Sequence, residues 1–185
     1  MPITPLAPAR SALLIVDIQE RLMPVIAGRE QVVKNACLLI KAATVMGIPI
    51  VATTQYVARI GELLPEIKAE LRDTPIIDKM EFGGFNNPQL ARAVGQLPRE
   101  IDTLIIAGVE THICVYQTTM GAIQAGYKAW VPADAVSSRA RQNHRSGVAR
   151  IREIGGIVAN TELIIYELLH RAGTPEFKAL LPFLK

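Results

Sequence analysis

The chain has too little of several things for whole classes of function. Two cysteines in 185 residues, Cys37 and Cys114, cannot build a disulfide framework. The three histidines, His112, His144 and His170, stand far apart and lack metal-ligand spacing, so no metal is expected. No apolar run approaches the length of a membrane-spanning helix, and no membrane partner is expected. The stretch from Met1 to Pro8 has no basic start and does not read as a secretory signal; with the sparse cysteines this predicts a cytoplasmic protein. Aromatic residues make up only 5%, which is poor material for base-stacking platforms. Twenty basic against seventeen acidic residues leave a formal charge of +3, spread along the chain, and no nucleic-acid partner is called for. Gly83-Gly84 is not a phosphate loop, because no Gly-Lys-Ser/Thr and helix follow it.

What the chain does have is alternation of apolar runs with helical periodicity. Ser11 to Val16 is continuously apolar and ends at Asp17, the mark of a strand covered on both faces. Val32, Val33, Ala36, Leu39, Ile40 and Ala43 then recur at helical spacing between about Glu30 and Met46, with Gly47 as the stop. Cys37 lies beside that stripe and reads as core filler. Further apolar or extended runs occur at Ile48 to Thr53, Pro75 to Lys79, Thr103 to Ala107, Lys128 to Val131 and Gly156 to Ala159. Helical stretches are predicted near Pro65 to Leu71, Pro88 to Val94, Thr111 to Ala125, Gln142 to Ile154, Thr161 to Leu169 and Pro175 to Leu181. The chain shows no repeat, linker or low-complexity segment, so residues 1–185 are read as one domain. Strands alternating with helices imply an α/β fold, a parallel sheet with helices on both faces. Right-handed crossovers put all strand C-termini on one edge, where such sheets bind ligands. Asp17, Gln55, Lys79 and Cys114 all fall at or just past predicted strand ends.

The stretch Ile105-Ile106-Ala107-Gly108-Val109-Glu110-Thr111-His112-Ile113-Cys114-Val115 organises the rest. It reads as strand, tight turn and helix. Thr111 as N-cap would put Cys114 in the first helical turn, where orphan N–H groups and the positive end of the helix dipole favour thiolate. The alternative is a buried, inert cysteine. A cysteine hydrolase needs a nucleophile, a proton acceptor that later returns the proton, and donors for an oxyanion. Cys114 supplies the first, Asp17 could supply the second, and Lys79 could orient Asp17. Backbone N–H groups of the turn could supply the third. Against this, Asp17 could be a turn residue and Lys79 a solvated loop charge. His112 stands two residues from Cys114 and points to another side, so it is not read as its base. Leu22, Tyr56, Phe82 and Phe85 flank strand ends as candidate pocket walls, with core packing as the alternative for the phenylalanines, and Gln19, Gln55 and Thr111 stand beside them. Arg139, Arg141, Arg145, Arg150 and Arg152 read as a solvated basic face around one helix or as intersubunit ion pairs, with phosphate or RNA contact as the lesser alternative.

Three blocks together, Leu-Leu-Ile-Val-Asp17-Ile-Gln19, Lys79 ahead of Phe82-Gly-Gly-Phe85, and Gly108-Val109-Glu-Thr111-His-Ile-Cys114-Val115, resemble the isochorismatase-like cysteine hydrolase family. The likeness runs from Ala12 to about Ala159. It implies a three-layer αβα sandwich around a six-stranded parallel sheet in the Rossmann-like order 3-2-1-4-5-6. It also implies an Asp–Lys–Cys triad at Asp17, Lys79 and Cys114. The family's cis peptide would fall at Val109-Glu110, aiming the Glu110 and Cys114 N–H groups at one oxyanion. In that sheet order Lys79 would lie on an edge strand, and either it reaches back along its side chain to meet Asp17 or Ile76-Ile77 lies across the strand ends. Nicotinamidases share the triad but carry an Asp-x-His after the second strand; this chain has Thr53-Thr54-Gln55-Tyr56-Val57-Ala58 there, which implies no metal and no cofactor. True isochorismatases hydrolyse a vinyl ether without the thiol. A cysteine at 114 instead suggests acyl chemistry on a small-molecule amide or related carbonyl, with vinyl-ether hydrolysis or a non-catalytic, redox-sensing role for the same thiol as alternatives. Thr54-Gln55-Tyr56, Ser137-Ser138-Arg139 and Pro175-Glu176-Phe177-Lys178 look most like the isochorismatase-domain-containing subgroup. Relatives of this kind are commonly homo-oligomers, and Ile164, Ile165, Leu168 and Leu169 offer an apolar helix face for assembly.

Overall fold

The computed structural model describes residues 5–184. Part of the N-terminal stretch read for a secretory signal, residues 1–4, lies outside them, as does Lys185. Seven strands, β1 (Ser11–Val16), β2 (Ile50–Gln55), β3 (Ile76–Lys79), β4 (Thr103–Val109), β5 (Lys128–Pro132), β6 (Val136–Ser137) and β7 (Ile157–Ala159), form one parallel sheet. Its order is β3-β2-β1-β4-β5-β7, the expected 3-2-1-4-5-6 path, while the two-residue β6 pairs beside β4. Periodicity could not show β6, since two residues carry no period.

The unbroken apolar runs of the central strands divide cleanly between two cores. Leu13 and Ile15 of β1, with Ile105, Ala107 and Val109 of β4, pack on one face under α1 (Arg29–Val45), α3 (Pro65–Leu71), α7 (Thr161–Leu169) and α8 (Pro175–Leu180). Ala12, Leu14 and Val16, with Leu104 and Ile106, pack on the other under α4 (Pro88–Gly95), α5 (Tyr116–Gln124) and α6 (Arg141–Glu153). A one-turn helix, α2 (Val57–Ile60), follows β2. Successive strand side chains point to opposite faces, so a strand with helices on both sides must be apolar throughout. The α7 residues expected to offer an assembly face, Ile164, Ile165, Leu168 and Leu169, are instead buried in this chain's own core. The exposed apolar side chains of α7 are Leu163 and Tyr166.

The strand order reverses between β1 and β4, the switch point at which sheets of this kind bind ligands beyond the strands' C-terminal ends. Gly108 lets the two strands meet there. It has φ +129, and a Cβ on it would stand 2.0 Å from the Val16 carbonyl oxygen. No larger residue fits the end of β4 without displacing β1. No helix among the described residues is long and apolar enough to cross a membrane.

Candidate active site

Asp17 follows directly on β1 and turns back in the left-handed region, φ +54, which aspartate tolerates better than most residues. Its N–H bonds to the Thr53 carbonyl at 3.1 Å, and its own carbonyl accepts from the Gln19 N–H at 2.9 Å. The carboxylate is fully buried, and both oxygens are engaged. Thr53 Oγ1 donates to Oδ1 at 2.7 Å, and Lys79 Nζ donates to Oδ2 at 2.6 Å. Lys79 also donates to Gln55 Oε1 at 2.8 Å, and its side chain has no exposed surface.

The edge strand therefore delivers its lysine to the switch point. β3 pairs with β2 in the register Gln55 to Lys79, and β2 pairs with β1 in the register Thr53 to Val16. Two strand spacings, roughly 10 Å, separate the β3 and β1 backbones. The lysine stem crosses the end of β2 to close that distance. A buried ammonium needs both a counter-charge and hydrogen-bond acceptors. Asp17 and Gln55 provide them.

Cys114 approaches from the β4 side. The sequence places it in the first turn of an α-helix capped by Thr111. The structure instead makes Thr111–Val115 a π-helical turn, with α5 beginning at Tyr116 and no side-chain cap. Thr111 Oγ1 is taken up by His144 Nδ1 at 3.0 Å. The expected dipole-favoured thiolate does not follow either. Cys114 is only 6% exposed, and burial, joined by the Asp17 charge, pushes its thiol up to about 12. The Lys79 ammonium pulls the other way; a hydrogen bond with Asp17 raises the value further, and the Glu110 N–H lowers it. Desolvation outweighs the nearby cation. At neutral pH Cys114 is a thiol facing a carboxylate. Its alkylation rate by iodoacetamide should therefore climb about tenfold per pH unit through pH 8 to 10 with no plateau. A plateau near pH 8.5, the ordinary thiol value, would contradict this environment.

The turn that carries the sulfur is held from outside. The Val109–Glu110 peptide bond is cis. The Glu110 carboxylate is buried and gripped by Arg139, whose Nη2 and Nε donate to Oε1 at 2.6 and 3.0 Å and whose backbone N–H donates to Oε2 at 2.7 Å. That pairing, with the Arg139 charge, outweighs desolvation and holds the Glu110 carboxyl below the usual carboxylate range. Arg139 keeps much of its side chain in solvent, as a basic face implies, and is also the clamp on this turn. His112 turns away from Cys114, as its position implies, to Ser138 Oγ at 2.9 Å.

The remaining candidates scatter. Gln19 is fully buried, and its amide is used internally: Nε2 donates to the Gly61 and Gln55 carbonyls at 2.7 and 3.1 Å, and Oε1 accepts from the Gln55 N–H at 2.7 Å. Gln55 Nε2 donates to the Met80 carbonyl at 2.8 Å, so this side chain positions Lys79 and the segment after it. Leu22 is half-buried against the core. Thr111 is buried. Phe85 packs into the second core and across Tyr127, with ring centroids 6.3 Å apart. Tyr56 and Phe82 are exposed, on the loops after β2 and β3, as is Met80. Sequence reading did not single out Thr53, although its pairing opposite Val16 predicts its reach to Asp17. Among the described residues no three His, Cys, Asp or Glu side chains come together as a metal site. Cys37 sits half-buried against the first core.

The isochorismatase domain family model matches residues 11–162. The chain belongs to the isochorismatase family. Across 97% of its length it is 33% identical to the secreted isochorismatase effector Isc1 of Phytophthora sojae, of which it covers 87%. Among solved structures, the MAR1 ribonuclease of Caenorhabditis elegans superposes with a TM-score of 0.91 at 29% identity, over 98% of this chain and 92% of that one. YcaC of Escherichia coli, described as an octameric hydrolase of unknown specificity, superposes with a TM-score of 0.92 at 25% identity, over 99% and 90%. The family match spans β1 to the first turn of α7, so Asp17, Lys79 and Cys114 all lie inside it.

Proposed function

We propose that this isochorismatase-family protein is a metal-independent thiol hydrolase of a small amide or related carbonyl compound. The observation that carries the reading is a buried thiol facing a buried carboxylate that Lys79 and Thr53 hold in place. The reading needs no cofactor: where nicotinamidases carry metal ligands, Gln55 is spent on Lys79.

Asp17 accepts the Sγ proton as sulfur attacks the carbonyl carbon, and the carbonyl oxygen takes up the negative charge. The Glu110 and Cys114 N–H groups stabilise that oxyanion. Asp17 passes the proton to the leaving nitrogen, the C–N bond breaks, and an acyl thioester remains on Cys114. A water then gives Asp17 a proton as it attacks the thioester. The C–S bond breaks, and the sulfur recovers the proton. Lys79 and Thr53 hold Asp17 oriented throughout. With its thiol near 12, Cys114 loses its proton only as a substrate engages, which guards the sulfur from adventitious chemistry. The same property disfavours a redox-sensing role, since sensor cysteines are accessible and readily ionised. Vinyl-ether hydrolysis of an isochorismate-like substrate is the second reading; it needs a proton donor such as Asp17 but no sulfur.

Intact-mass spectrometry after acid quench with a panel of small amides should find an acyl adduct that maps to Cys114. Cys114→Ala should abolish the adduct and lower turnover by more than about 10⁴-fold. Full turnover by Cys114→Ala would exclude covalent catalysis and favour the vinyl-ether reading. We also read the protein as a homo-oligomer, as the YcaC description and the exposed Tyr56, Met80 and Phe82 beside the site suggest. Light scattering should return a multiple of the 20.2 kDa chain mass, and a monodisperse monomer would refute that.

A further inference from the structure

We infer that a pocket of about 310 Å³ between the starts of α1 and α6 is a binding site for a small oxyanion, a carboxylate or a phosphoryl group. It shares no lining residue with the Asp17, Lys79 and Cys114 cluster, and the inference does not rest on the hydrolase reading. Its volume is that of a small metabolite site. Gly28, just before α1, and Gln31 within it line the pocket, with Ser137 from β6 and Arg141, His144 and Arg145 from α6.

Two guanidiniums and an imidazole face one cavity. Among the described residues neither Arg141 nor Arg145 forms an ion pair. One carboxylate, Asp134, lines the pocket, and its Oδ1 is taken by the Thr161 N–H and Oγ1 at 2.7 and 2.8 Å. Burial, joined by the nearby Arg145 charge, holds the His144 imidazole below its usual value, so it meets an anion as a neutral donor beside the two guanidiniums. Both helices at the rim also begin without a side-chain cap, at Gly28 and Ala140. Their first N–H groups add to the potential of the guanidiniums. Neither helix start alone would make a site. The cavity with two unpaired guanidiniums and an imidazole offers charge-assisted donors from several directions. His144 also touches Thr111 of the nucleophile turn, so an occupant would contact the imidazole that braces that turn.

The chain's three histidines make this testable by NMR of their imidazole nitrogens. The protein is titrated at fixed pH with sodium phosphate, and separately with sodium acetate, with ionic strength held constant by sodium chloride. At least one anion should shift the His144 signals saturably, with a dissociation constant of about 1 mM or tighter, while exposed His170 stays still. Saturation by phosphate alone assigns a phosphoryl group, and saturation by acetate alone a carboxylate. Arg141→Glu with Arg145→Glu, both at exposed positions, should weaken binding at least about tenfold while the thermal melt is retained. A non-saturating His144 response to both anions, or equal affinity in the folded double variant, would overturn the assignment.

Discussion

Lys79→Met should lower folding stability by about 3–5 kcal/mol, because it leaves the Asp17 carboxylate buried with its counter-charge removed. Methionine nearly matches the lysine stem, so little of the loss would be packing. The pair has no exposed surface on either side, so solvent screening cannot soften the change. Adding Asp17→Asn to Lys79→Met should recover most of that stability, since two neutral partners replace a stranded ion. Turnover should stay absent in both variants. Chemical denaturation midpoints of the single and double variants check the sign. A Lys79→Met protein as stable as the wild type would mean that the ion pair is not buried as described.

Asp17→Asn should separate two properties that usually travel together. Under the proposed mechanism, turnover should fall by about 10⁴-fold, as expected when a nucleophile loses its base. Alkylation of Cys114 at neutral pH should instead become faster. Asp17 raises the thiol value by its charge and by a hydrogen bond, while Lys79 lowers it. Removing the carboxylate leaves the ammonium unopposed beside the sulfur and moves the thiol down. Below its pKa, thiolate rises tenfold for each unit of that fall, so faster alkylation is expected at pH 8. The measurement is a pH–rate profile on folded protein. A slower or unchanged rate would show that Asp17 does not dominate the electrostatics of the sulfur.

These effects depend on contacts that the sequence shows only in part. Continuous apolar runs at Ser11 to Val16 and Thr103 to Ala107 specify strands with two covered faces, and hence a parallel α/β sheet. Strand ends rich in functional groups specify the edge at which a site forms. The Glu110–Arg139 clamp is different. It joins residues 29 apart through β6, an element of two residues without a pattern of its own. The π-helical turn at Thr111–Val115 is equally invisible, because an apolar stretch with a threonine before it is compatible with an ordinary capped helix.

The amino-acid order alone determined which side chains stand at the sheet's C-terminal rim, because hydrophobic periodicity and right-handed crossovers leave few other arrangements. Tertiary structure decided their ionisation and their partners. Whether Cys114 rests as thiol or thiolate depends on how completely water is excluded and on which charge lies nearer. Both are set by chain segments distant in sequence.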